Sequence, residues 1–469
     1  MQKVSLSRKL LIMIKNNSNF DVVVIGAGVA GIAAGYYLTQ AGLRVALIDK
    51  LAPMSFTSAQ SGENYRNWWP HPTMTSFTND SITLMESLSV QTANCLSMKR
   101  GGYLLASRKK ASQGLIDELH AGYGTAANSK IRIHTKATNS LYEPAPSNDW
   151  QSAPDGVDVI EDNNLIHKHF PYLANDIDHL IHIRRAGDVT FHPLGQFMLS
   201  KIKEGGGRFF QGSVENIEHG SNVGFKVSFD HNGQETQLAS AKLVNAAGPF
   251  VSDIAELIGC SLPVKNIIQQ KISFEDGQGV ISRDMPFVVD LDDGVLPWDD
   301  EDKEILAEDP ETRWLLEPIN GGIHCRPDGG KHGSWVKLGW AFNAEVSTPC
   351  WQPELNPLFP DIVLRGASKL NPALSAYIGK LPRNSVHYGG YYTMTDENWP
   401  IIGPMAVEGA YVVGALSGFG TMAACGAGSL LTTWITGGDL PRYAKRLSME
   451  RYNDQALMQS LAKLSTGAL

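Results

Sequence analysis

The sequence predicts a mixed α/β protein in which a parallel-sheet half is interleaved with an antiparallel-sheet half. Three observations carry this expectation. Residues 21–25, Asp-Val-Val-Val-Ile, form a continuous apolar, β-branched run, followed by a glycine turn, a helical stretch over 30–40 and a second apolar run over 43–48. Such a β-α-β unit, completed in about 30 residues, marks a buried parallel sheet. Alternating apolar residues over 208–217 and 224–229, with His231-Asn232-Gly233 as a hairpin turn, predict antiparallel pairing. The length of 469 residues exceeds what one core supports, so two domains are expected.

The turn after the first strand reads Gly26-Ala27-Gly28-Val29-Ala30-Gly31, a G-x-G-x-x-G pattern between a strand and a helix. Gly26 makes the tight turn, Gly28 lets the backbone approach a pyrophosphate, and Gly31 lets helix and strand pack closely. The helix N-terminus offers unpaired N–H groups and a positive dipole end to phosphates. Asp49 ends the second strand, where a carboxylate can bond an adenosine ribose. Together these predict a dinucleotide site of Rossmann type, without separating FAD from NAD.

Later segments are read more coarsely. Residues 128–162 turn polar and proline-bearing and predict irregular structure. Pro193 marks the first turn of a helix that reaches Glu204. Lys242-Leu243-Val244 leads into a second glycine turn at Ala247-Gly248-Pro249. The strongly acidic stretch 298–311 predicts a solvated insertion. After Gly409 come an apolar strand, a glycine loop and a helix of small residues over 421–435.

Composition narrows the function classes. Hydrophobic residues at 43% and charged residues at 19% describe a globular protein, and a net charge of −8 without a basic stripe argues against a nucleic-acid partner. The five cysteines are odd in number and widely spaced, with neither disulfide nor metal-ligand spacing, so no metal site and a reducing, cytoplasmic setting are expected. Residues 9–15 are basic and apolar but too short for a signal core or a membrane span. Residues 1–19 are therefore read as a poorly ordered leader, and membrane contact is not expected. Nothing in the residues specifies an oligomeric state.

Three segments carry a family resemblance. Asn245-Ala246-Ala247-Gly248-Pro249-Phe250 resembles the N-A-A-G-P-W turn of the D-amino-acid oxidase and sarcosine oxidase family. Tyr392-Thr393-Met394-Thr395 with Pro400-Ile401-Ile402-Gly403-Pro404 resembles its Y-x-x-T-P-D-x-x-P-I-I-G-P segment. Gly414-Ala415-Leu416-Ser417-Gly418-Phe419-Gly420 resembles its closing G-x-S-G-H-G loop. The resemblance implies a discontinuous FAD-binding domain over 20–95, 180–260 and 385–445. A substrate domain over 96–179 and 261–384 would complete the chain. FAD would then be held by Gly26, Gly28, Gly31, Asp49, Lys50, Ser61, Val214, Ala246, Gly248, Gly414, Ser417, Gly418, Phe419, Gly420 and Thr421. Relatives that tether the flavin carry a cysteine where Gly390 falls or a histidine near Glu63, so non-covalent FAD is expected.

The implied chemistry is two-electron oxidation of a C–N bond in an amino acid or amine, with the flavin reoxidised by oxygen or an electron carrier. Lys337, in Trp335-Val336-Lys337-Leu338-Gly339-Trp340, matches the family lysine that activates oxygen. Arg326, in a segment resembling the family's R-P-x-x-G, would hold a substrate carboxylate. Arg66 falls where relatives place an arginine near the flavin, and Tyr392 would cap the substrate pocket. His324 reads as a packed strand histidine. The sarcosine oxidase pattern has a lysine at Met422, a histidine at Ala341 and a loop histidine at Phe419, so a bulkier or more apolar substrate than sarcosine is expected. Trp68 and Trp69 are candidates to line that pocket. Three alternatives stand beside this reading: a 2-hydroxy acid as substrate, a non-catalytic flavin-binding subunit, and an NAD-only dehydrogenase, which the closing loop argues against.

Overall fold

A computed structural model describes residues 19–110, 113–138, 141–145, 150–220, 224–330 and 332–464; the expected leader, up to residue 18, lies outside them. Strand β1 (Asn19–Ile25) pairs in parallel with β2 (Val45–Asp49) across helix α1 (Val29–Gln40). Strands Arg208–Gln211, Gln234–Asn245 and Ala410–Gly414 extend this parallel core. The hairpin Ser213–Gly220 and Gly224–His231 and the strand Ile401–Pro404 complete an eight-stranded sheet. β1 is apolar throughout because both its faces are covered. Val22 and Val24 meet α1 and the closing helix Gly420–Thr436, whereas Val23 and Ile25 meet Phe210, Phe229 and Ile254.

The second sheet has nine strands and a core against the helix Phe359–Leu370. It is largely antiparallel, with parallel pairing at Phe287–Asp290 with Tyr103–Ser107 and at Ile131–His134 with Val157–Ile160. The last pair corrects the expectation of irregular structure over 128–162. Each strand is four residues long, too short to show a period, and its polar residues are spent internally. Buried Asp158 takes bonds from Arg132, His134 and Arg184. Strands His179–Ile183 and Val386–Met394 also hydrogen-bond within this second sheet. Their pairing partners are distant in sequence, so no local pattern assigns them.

Three local readings hold. Asn232 and Gly233 both have positive φ, 56° and 78°, as a two-residue hairpin turn requires. The helix Phe191–Glu204 carries Pro193 in its first turn. The acidic stretch forms a helix, Asp300–Glu308, without a buried residue, and the Asp299 side chain caps it by accepting from the Asp302 N–H. Among the described residues, no helix is long and apolar enough to cross a membrane.

Candidate functional site

The glycine turn is built as its spacing requires. Gly26 has φ 106°, and a Cβ there would overlap the Ala246 carbonyl; a Cβ on Gly31 would overlap the Gly26 carbonyl. Asp49 accepts from the Ala27 N–H at 2.7 Å and from the Leu51 N–H at 2.9 Å. Burial pushes its carboxyl above the usual range, against the pull of those two bonds. One cavity at the strand ends is lined by Gly26, Asp49, Lys50 and Val214, with Phe250 and Trp351 as its aromatic side. The Lys50 Nζ lies 4.9 Å from the Trp351 ring centroid.

A second cavity runs from the same turn toward the closing loop. Gly28, Ser61, Ala246, Gly248, Gly414, Ser417, Gly418, Gly420 and Thr421 all line it. Ser61 and Thr421 share a hydrogen bond of 2.9 Å, joining two segments 360 residues apart. Ala415 and Ser417 adopt positive φ, 54° and 44°, and a Cβ on Gly418 would overlap the Tyr392 ring. The closing helix approaches α1 so closely that a Cβ on Gly428 would meet the Ala33 backbone. This explains the run of small residues in that helix. Bare backbone therefore lines the path from strand ends to closing loop, the shape that an FAD pyrophosphate and ring need.

A third cavity, of about 240 Å³, opens on the far side of that loop. It shares Tyr392, Ser417 and Gly418 with the second cavity and adds Arg66, Trp69, Tyr103, Gln269, Asn343 and Asn398. Phe419 faces this third cavity, not the glycine path, and packs edge-on against Trp69 with centroids 4.9 Å apart. Met422 and Ala341 line it too. Arg66 is buried, donates to the Trp68 carbonyl at 3.2 Å and lies over the Trp69 and Tyr103 rings. Burial lowers its guanidinium to about 10.

Two expected catalytic residues stand apart from these cavities. Arg326 is buried and its guanidinium is bound by the protein: Nε and Nη2 donate to the Gly62 carbonyl, and Nη1 to Pro327 and the Asp328 carboxylate. Burial alone would lower it, but the carboxylates of Asp188, Asp328 and Glu63 outweigh that and raise it. Lys337 reaches Asp328 at 3.4 Å and Glu63 at 3.6 Å. Burial and the Arg326 charge lower its ammonium, against those same two carboxylates. His324 is half-buried and donates through Nδ1 to the Gly322 carbonyl at 3.1 Å, and the loss of water around its ring, with the Lys271 charge, pushes it down to about 3.

The residues that the sequence reading passed over lie on the strand Lys265–Glu275. Ile272 and Phe274 point to the core, which turns Gln269 and Lys271 to the opposite, site-facing side. Lys271 lines the second cavity and Gln269 the third. Lys271 pairs across the sheet with Gly339, where a Cβ would crowd the His324 ring and the Lys271 Cγ. The glycine of the Lys-Leu-Gly motif thus leaves room for a different lysine. Ser58, whose hydroxyl accepts from the Val29 N–H at 3.0 Å, also lines the glycine path.

Comparison with known proteins agrees with this geometry. A family model described as FAD dependent oxidoreductase (DAO) matches residues 21–434. A 47-residue segment is 40% identical to monomeric sarcosine oxidase of Bacillus sp. (strain NS-129), spanning 10% of this chain and 12% of that protein. The chain thus matches about an eighth of the length of that curated relative. The fold is similar to that of glycine oxidase from Geobacillus kaustophilus, with TM-score 0.67 at 15% identity, covering 92% of this chain and 99% of that one. It is also similar to L-proline dehydrogenase from P. horikoshii, with TM-score 0.69 at 17% identity, covering 93% and 98%. The family match spans both sheets, the glycine turn and the closing loop, and the chain belongs to the DAO family of FAD-dependent oxidoreductases.

Proposed function

We propose that this enzyme oxidises the C–N bond of an amino acid or amine that carries an apolar side chain. One observation carries the reading: the cavity holding Arg66 meets the glycine-lined cofactor path at Tyr392, Ser417 and Gly418. A substrate there would lie against the reactive face of the cofactor. Bound FAD supplies a two-electron acceptor for that chemistry. The side chains do the rest. Arg66 binds a substrate carboxylate, and Phe419, Met394 and Met422 exclude water and favour an apolar side chain. Tyr392 closes the cavity from the strand side.

Lys271 takes the role that the motif suggested for Lys337. Its ammonium favours negative charge at the end of the cofactor path, whether oxygen or another carrier takes the electrons. Arg326 and Lys337, with Asp328 and Glu63, brace the floor beneath. The eight-stranded sheet is read as the FAD-binding half and the nine-stranded sheet as the substrate half. Gly390, which lines the cofactor path without a side chain to bond the ring, supports non-covalent FAD. Five unpaired cysteines favour a reducing compartment such as the cytosol.

The test is direct. Purified protein should be yellow and release FAD on acid precipitation. Under argon, a panel of amino acids, N-methyl amino acids, amines and 2-hydroxy acids should bleach the visible band, with apolar amino acids or amines fastest. Bleaching by 2-hydroxy acids alone would overturn the C–N reading.

A further inference from the structure

Among the described residues, the donor Trp69 Nε1 and the acceptor Gln269 Oε1 are buried polar atoms of the third cavity that lack a hydrogen-bond partner, and the acceptor is the one held in place. Gln269 is 5% exposed and lines this cavity beside Arg66. Its Nε2 donates to the Asn343 carbonyl at 2.8 Å, while its Oε1 is buried with no hydrogen-bond partner among the described residues. The first bond fixes the orientation of the amide, since a flipped amide would set two oxygens against each other. Asn343 is held in turn: its Nδ2 donates to the Ile268 carbonyl at 3.0 Å, and its Oδ1 accepts from the Glu345 N–H at 3.1 Å. The Gln269 oxygen is therefore a fixed acceptor that cannot swing away to find a donor.

Buried acceptors are almost always satisfied, and an orphan at a cavity wall points to a donor on the ligand. The apolar neighbours Ile267, Met394, Met422 and Phe419 supply none. A carboxylate, an ether or an alkyl group would leave the oxygen desolvated and unpaired; an N–H would not.

We propose that Gln269 is a specificity-determining residue whose Oε1 accepts the substrate's N–H, selecting primary and secondary amines over ligands without that hydrogen. The proposal rests on the reading that the third cavity receives the substrate. Arg66 would then hold the carboxylate, and the two groups together would favour an N–H placed next to a carboxylate, as in an α-amino acid.

The test uses an isosteric pair of carboxylates, pyrrole-2-carboxylate and furan-2-carboxylate, which differ in an N–H against a ring oxygen. Each is titrated into the holoprotein and followed by perturbation of the flavin spectrum and by competition with the best amine of the panel. The wild type should bind the pyrrole acid about tenfold more tightly or better, the penalty for facing a buried acceptor without a donor. Gln269→Met and Gln269→Leu should bring the ratio within about threefold, mainly by weakening the pyrrole acid. Two substitutions are made so that one folded, flavin-bearing variant suffices. A wild type without preference, or a preference that survives in the variants, overturns the role. If neither acid competes while an amine still bleaches the flavin, the third cavity is not the substrate site, and the role of Gln269 falls with it. If no amine bleaches the flavin but the pyrrole preference is present and lost in the variants, only the C–N reading fails.

Discussion

The Lys271 Nζ lies 5.5 Å from the centroid of the Tyr392 ring, and both side chains line the glycine-built cofactor path. Lys337, two residues from the glycine that admits the Lys271 stem, is instead paired with Asp328 and Glu63. The sheet thus presents two lysines on one face, Lys271 buried and Lys337 half-buried, and only Lys271 faces the cavity without a carboxylate within ion-pair distance among the described residues.

This arrangement separates their substitutions. Lys271→Met should slow reoxidation of the reduced flavin by about 10²-fold, as loss of a preorganised charge at a developing anion does. Reduction by substrate under argon should stay within about tenfold, because no anion develops on that side. Lys337→Met should spare both half-reactions and lower thermal stability. Stopped-flow absorbance measures the two halves, and the reverse order of sensitivity would return the role to Lys337.

The arginines divide in the same way. Arg66→Ala should weaken carboxylate ligands by about 2–5 kcal/mol, the cost of losing one partner of a desolvated pair. Arg326→Ala should act on the fold, destabilising by about 1–3 kcal/mol, because half-buried Asp328 and the Gly62 and Pro327 carbonyls lose a buried donor. Ligand titration and thermal melts of both variants distinguish them. A variant of Arg326 that melts normally and loses carboxylate binding would contradict the assignment.

Gly31→Val should abolish FAD retention. Even a Cβ at this position overlaps the Gly26 carbonyl, so α1 must move away from β1 and take its N-terminus from the pyrophosphate. The ratio of visible to ultraviolet absorbance of the purified variant reads this directly. A yellow variant of normal stoichiometry would show that the turn tolerates the shift.

Acid should destabilise the nine-stranded sheet through Asp158. Burial alone would raise this carboxyl, but bonds from Arg132 and His134 and the Arg184 charge hold it well below the usual range. A depressed folded value means that the stabilisation is complete above the unfolded value of about 3.9 and is lost as pH falls below it. Asp158→Asn should therefore cost about 3–5 kcal/mol at neutral pH. The gap between wild type and variant should shrink as pH is lowered through that range. Equal gaps at neutral and acid pH, read by denaturant titration, would refute the coupling.

The sequence by itself determined what local pattern encodes. The strand, glycine turn, helix and Asp49 were legible because a tight turn and a close backbone approach demand glycine at fixed spacings. The closing loop was legible for the same reason, although Phe419 in its histidine position faces the third cavity. The strands at 131–134 and 157–160 were not, since four residues show no period and their polar groups satisfy one another only across the sheet. Which lysine meets the cavity was decided by tertiary structure alone. Alternation along Trp335–Trp340 shows that Lys337 leaves the core, but not that Asp328 and Glu63 wait for it. Alternation along Lys265–Glu275 was also present in the sequence, yet placing Gln269 and Lys271 at two adjoining cavities needs the register against Gly339 and Gly390. A period of two fixes the face that a side chain takes. Which charge meets it there depends on residues brought together from across the chain.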